Sequence, residues 1–192
     1  MKIVISILLF SLTSAAAPVA VSGDDKVEIA VKETDVKISV PAEARKALIQ
    51  WRPEFLVFDL KDYSDSVKSL VKEIDPQGVP MAFVADLNND GTQDIALMGS
   101  DLHNQYAVAL VKEGGVWQAV ELQSFKIPNI KKTVTKNENK TPETGVPLYV
   151  LPAQDEHAAK LGKKIGVQVE HYMGPARVYE IKDGKAAQVK LK

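Results

Sequence analysis

The sequence contains no cysteine, only three histidines, and aromatic residues at 6% of the chain. The missing cysteine removes disulfide staples, thiol nucleophiles and thiolate metal ligands together. It also excludes a bacterial lipid anchor, which needs a cysteine after the apolar start. Small exported domains usually lean on disulfides, so this chain has to stand on its hydrophobic core. His103, His157 and His171 are widely separated. None forms the H-E-x-x-H or similar spacing that brings two imidazoles to one metal. An excess of one charge is lacking too: 24 Lys+Arg against 25 Asp+Glu gives a formal net charge of −1. With no global positive field, nucleic acid is not an expected partner.

Catalytic motifs are equally sparse. There is no G-x-S-x-G, and Ser100, Asp101 and His103 are neighbours in one short stretch. Hydrolytic triads assemble from distant segments, so this proximity is read as coincidence. With 25 acidic residues available, a pair of carboxylates for glycoside cleavage has no discriminating force.

What is present starts at the N-terminus. "MKIVISILLFSLTSAAAPVAVSG" has Lys2, an apolar run from Ile3 to Phe10, and then small residues. This is the layout of a secretory signal peptide, and the run is too short to span a bilayer. A leader is expected over residues 1–22, with cleavage between Ala16 and Gly23. That predicts a periplasmic or secreted protein with no membrane span after cleavage. Residues 23–192 suit one domain. With 45% hydrophobic and 26% charged residues, the chain can bury a core.

Alternation of apolar and polar residues from Val27 to Val40 predicts two half-buried strands. "PAEARKALIQW" places Ala44, Ala47, Leu48 and Trp51 at helical spacing, and Arg52-Pro53 ends the helix. "EFLVFDL" reads as a strand. Ser64 is placed to cap a second helix with Val67, Leu70, Val71 and Ile74 as its apolar stripe. "MAFVA", "DIALMG", "QYAVALVKE" and "VWQAVEL" predict a four-strand meander. Residues 126–145 carry five lysines and little periodicity, which predicts a long mobile excursion. "PLYVL", "IGVQVEHYM", "ARVYEI" and "AAQVKL" return to strands. The expected fold is α+β: an antiparallel β meander with two helices in the N-terminal half. Trp51 is expected in the core, whereas an exposed Trp117 near a strand edge would be a binding hot spot.

The stretch "DLNNDGTQD", Asp86 to Asp94, carries the chemistry. A hard divalent cation needs several converging oxygens, supplied from positions 1, 3, 5 and 9, with a backbone carbonyl at 7 and glycine at 6. Asp86, Asn88, Asp90 and Asp94 fill the side-chain positions, Thr92 the carbonyl position and Gly91 the turn. Three carboxylates in so short a loop repel one another, and Ca²⁺ would offset that. A helix-loop-helix calcium hand requires a bidentate Glu at position 12, where this sequence has Leu97 followed by Met98 and Gly99. The segment after the loop therefore reads as a strand. A metal-free turn built from the same residues is the competing reading.

"FVADLNNDGTQDIALMG" resembles the calcium-loop element of FG-GAP/VCBS-type repeat proteins, in which D-x-[ND]-x-D-G-x-x-D joins two antiparallel strands. Here the element occurs once, whereas those repeats come in arrays. The layout is similar to that of small exported bacterial proteins with one such loop in an α+β domain. The resemblance implies a fold and an ion, not a reaction. The expected function is an exported, non-catalytic binding or scaffold protein with a structural Ca²⁺ and a protein or envelope polymer as partner. The alternative is a hydrolase acting on a cell-envelope or extracellular polymer.

Overall fold

The computed structural model describes residues 19–24, 26–33, 35–101, 103–126, 148–170 and 175–190. The expected leader up to residue 18, the expected mobile segment beyond Lys126 and His171 lie outside the described residues. Within them are twelve strands and three α-helices, a strand-rich α+β architecture.

Alternation in the N-terminal segment produces β2 (Glu28–Lys32) and β3 (Asp35–Val40), paired antiparallel with Ile29 opposite Ile38. A short β1 (Ala20–Val21) adds to β3 in parallel, Ala20 opposite Ser39. Helix α1 (Ala42–Trp51) buries Ala44 and Leu48, while Ala47 and Trp51 pack half-buried against the core. After the two-residue β4 (Leu56–Val57), α2 (Asp65–Ile74) starts at Ser64, whose hydroxyl accepts the Val67 N–H at 3.4 Å. Its Val67 and Val71 are buried, and Ile74 lies at the exposed end of the stripe.

The meander is β5 (Ala82–Ala85), β6 (Asp94–Ser100), β7 (Asn104–Glu113) and β8 (Val116–Lys126), each antiparallel to the next. β4 continues the β5 edge, pairing with β6 at Gly99 and Ser100. From Ile95 to Met98 and from Tyr106 to Val111 every residue is buried. Both faces of the central strands are therefore covered, which explains their near-continuous apolar runs. Each such Val, Leu or Ile contributes roughly 1.5–3 kcal/mol of transfer free energy.

The second sheet has the order β12-β11-β10-β9, from β9 (Tyr149–Pro152), β10 (Val167–Glu170), β11 (Arg177–Lys182) and β12 (Lys185–Val189). It packs on the central sheet, where the Tyr179 hydroxyl donates to Gln123 Oε1 at 3.1 Å and the Val150 N–H to the Pro80 carbonyl at 3.0 Å.

The expectation of helices confined to the N-terminal half is corrected by α3 (Asp155–Leu161), which lies between β9 and β10. At seven residues it is too short to show a helical period. Local chemistry makes it: Asp155 and Glu156 in the first turn suit the positive end of the helix dipole, and Gly162 with φ 69° ends it. Trp117, weighed as an exposed hot spot, is 8% exposed and belongs to the core.

Candidate metal centre

Strands β5 and β6 are in register from Ala85 opposite Asp94 backwards, so residues 86–93 form the connection of a hairpin. Leu87 is buried and pins the loop to the core. The chain then reverses through Asn89 at φ 69° and Gly91 at φ 87°. Both lie in the left-handed region, which glycine enters freely and asparagine tolerates better than most residues.

Carboxylates organise this reversal. Asp86 Oδ1 accepts the Asp90 N–H at 3.0 Å and its Oδ2 the Gly91 N–H at 2.9 Å. Asn88 Oδ1 also receives the Asp90 N–H, at 3.2 Å, while its Nδ2 donates to Asp90 Oδ2 at 3.2 Å and to the Lys112 carbonyl at 2.8 Å. Asp90 Oδ1 accepts the Thr92 N–H at 2.7 Å. Partial desolvation pushes the Asp90 carboxyl up, but the donors on Thr92 and Asn88, with Lys112 nearby, bring it below the ordinary range.

Asp94 behaves differently. It is 0% exposed, and its two oxygens accept the Leu87 N–H at 2.9 Å and the Lys112 N–H at 3.0 Å. It thus ties the start of the loop to β7. Burial raises its pKa to about 6, with the charge of Asp90 adding to the shift, against the backbone donors that hold the ionised form.

Of the five predicted positions, Asp86, Asn88, Asp90 and Thr92 therefore lie on one hairpin loop, and Asp94 opens β6 at its base. The donor set is oxygen only, which suits a hard cation such as Ca²⁺. A carboxylate oxygen has two lone pairs, so each Asp86 oxygen keeps acceptor capacity beyond its hydrogen bond. Their directions serve the turn, however. Among the described residues no three Asp, Glu, His or Cys side chains gather into a metal-holding group.

The neighbours Ser100, Asp101 and His103 do different work. Asp101 Oδ1 accepts the His103 and Asn104 N–H groups, both at 2.7 Å, and its Oδ2 accepts the Tyr106 hydroxyl at 2.7 Å. Arg52 sits between Asp101 (3.7 Å) and Glu121 (3.6 Å), its guanidinium 4.2 Å from the Tyr106 ring centroid and 5.2 Å from that of Trp51. This corner ties the end of α1 to the sheet. Sequence reasoning missed it because Arg52 registers only as a helix terminator; a cation directly after an amphipathic helix ending in Trp was the available signal. His157 lies on α3, half-buried. No protein-family model, curated protein or solved structure matches this chain.

Proposed function

We propose that the chain is an exported, non-catalytic binding or scaffold protein whose β5–β6 loop holds a structural Ca²⁺ through Asp86, Asn88, Asp90, the Thr92 carbonyl and Asp94. The observation that carries this reading is the buried Asp94 carboxylate, with a pKa near 6, next to Asp90 and at the base of a loop that also holds Asp86. Such a group gains from a cation that favours its ionised form. Ca²⁺ supplies that charge, and the hairpin supplies oxygens on a backbone anchored by Leu87 and the core strands.

A thermal melt in chelator, then in millimolar Ca²⁺, with Mg²⁺ as control, tests the ion. A single site at 100 times its dissociation constant adds about 2.7 kcal/mol. A shift with Ca²⁺ alone is expected; no shift in a sample shown metal-free by elemental analysis rejects the ion.

Export is tested at the N-terminus. Ala20–Val21 pairs with β3 and the Ser22 N–H donates to the Val40 carbonyl at 2.9 Å. A cut after residue 22 would remove this strand, so N-terminal sequencing of secreted material is expected to place cleavage upstream of Val19. A mature end at Gly23 would show that β1 is dispensable, and an uncleaved cytoplasmic chain would reject export.

A further inference from the structure

Residues 126–192 carry 13 Lys+Arg against 7 Asp+Glu, whereas residues 1–125 carry 11 against 18. The near-zero net charge thus conceals an acidic N-terminal portion, which includes the aspartate loop, and a basic C-terminal one. Within residues 148–190, which carry 7 Lys+Arg against 5 Asp+Glu, an open groove of about 400 Å³ runs between α3 with its following turn and the β11–β12 hairpin. Lys160, Lys164 and Lys190 line it, with Glu180 as the one acidic residue among the described lining and Leu161 and Val189 as half-buried apolar lining. The Lys160 ammonium donates to the Lys190 carbonyl, and Lys164 Nζ to Glu180 Oε2 at 3.0 Å. These contacts hold the two stems across the groove. An ammonium has three donors, so both retain hydrogen-bonding capacity for a ligand.

We infer that this groove binds a phosphate-bearing anionic polymer, which gives the binding reading above its partner class and rests on that reading. The groove offers lysines rather than the planar fork of arginine. Lysines act as point charges that attract phosphate without imposing a bidentate orientation, which suits a repeating, conformationally varied chain. Among the described residues no aromatic side chain lines the groove, so none there offers the stacking platform that single-stranded nucleic acid uses. Ile165, 39% exposed beside Lys164, would favour a lipid surface instead.

Binding of long-chain polyphosphate to the purified chain, measured by calorimetry in chelator, tests the inference. Inorganic phosphate and phosphatidylglycerol vesicles serve as parallel arms. Polyphosphate is expected to bind, to weaken as salt rises through the screening range, and to outcompete inorganic phosphate. The double variant Lys160→Gln/Lys190→Gln leaves the Lys164–Glu180 pair intact. It is expected to keep its melting temperature and lose affinity about ten-fold, while Lys68→Gln/Lys72→Gln on α2 keeps wild-type affinity. No polyphosphate binding at low salt, equal loss in both double variants, or tighter binding to vesicles than to polyphosphate would overturn it. Because chelator removes Ca²⁺, failure here leaves the calcium reading untouched, and failure of the calcium melt leaves the groove untouched.

Discussion

At the start of β6, Asp94 is buried, accepts two backbone N–H groups, and has its pKa raised to about 6. Just beyond the end of the same strand, Asp101 also accepts two backbone N–H groups and organises a turn. Partial burial pushes Asp101 up as well, but the Tyr106 hydroxyl, those N–H groups and Arg52 bring it below the ordinary carboxylate range. The two aspartates do the same local work, and what separates them is first the deeper burial of Asp94 and then the charge around each. Asp101 has a guanidinium 3.7 Å away, whereas Asp94 has the like charge of Asp90 acting on it. A backbone turn alone does not settle a buried carboxylate. One end of β6 carries a counter-charge within the chain, and the other has a like charge beside it.

The two ends of β6 are disturbed together, and most strongly, if β6 itself is displaced. A Cβ on Gly99 would lie 2.2 Å from the Leu56 carbonyl oxygen and 2.6 Å from the Phe55 ring. Gly99→Ala therefore pushes β4 and Phe55 away from β6 and loosens the Arg52 corner, at a cost of about 3 kcal/mol or more. Urea unfolding in chelator measures the loss. If the two ends are independent, the Ca²⁺-induced stabilisation survives; its disappearance would show that both depend on one strand position.

The next effect is specific to the loop. Asp90 is exposed and its carboxylate receives Thr92 and Asn88 donors inside the loop. Asp90→Ala is expected to abolish the Ca²⁺-dependent stabilisation, about 2.7 kcal/mol at 100 times the dissociation constant. Its stability in chelator should change by less than that, since loss of the exposed Thr92 and Asn88 hydrogen bonds is partly offset by relief of the repulsion on Asp94. An unchanged Ca²⁺ response in a melt of this variant would remove Asp90 from the ligand set.

Why one end of β6 could be read from the sequence and the other could not follows from chain separation. The Asp86–Asp94 turn is local: its acceptors and most of its donors lie within nine residues, and glycine with asparagine marks the reversal. The strand pattern is legible for the same reason, since alternation in β2 and β3 and apolar runs in β6 and β7 report burial directly. The Arg52 corner joins residues 52, 101, 106 and 121, which only the fold brings together. Helix α3 has too few residues for a period, and the anchoring of Asp94 to Lys112 crosses two strands. Trp117 looked like an edge residue from its place after Gly114-Gly115, yet its neighbour Val116 takes the exposed position and Trp117 turns inward.

A smaller effect is expected at the Arg52 end. Arg52→Ala removes two loose ion pairs and the stacking on Tyr106 and Trp51, with the guanidinium side chain still 37% exposed. Screened pairs of this kind contribute little, and the stacked contact about as much again. A loss of about 1 kcal/mol in urea unfolding is expected, with Arg52→Lys recovering only part of it because an ammonium cannot stack as a plane. Full recovery by lysine would show that charge alone holds the corner.

An effect of similar size separates the two aspartates by pH. The Asp94 carboxyl titrates near 6 when folded and near 3.8 in its ordinary state, so between those values the native protein binds more protons than the unfolded one. Stability contributed by this group therefore rises as pH falls through about 6 and levels off near 3.8, by about 1 kcal/mol between pH 7 and pH 5. Asp101 is shifted the other way, so its contribution is intact across that range and is lost only in stronger acid. Urea midpoints measured in chelator on the wild type and on Asp94→Asn isolate the group: the wild-type curve should climb toward pH 5 relative to the variant. With Ca²⁺ bound the cation holds the carboxylate ionised through that range, so the rise toward pH 5 should largely disappear. If the rise persists undiminished in saturating Ca²⁺, Asp94 is a strut of the turn and not a ligand.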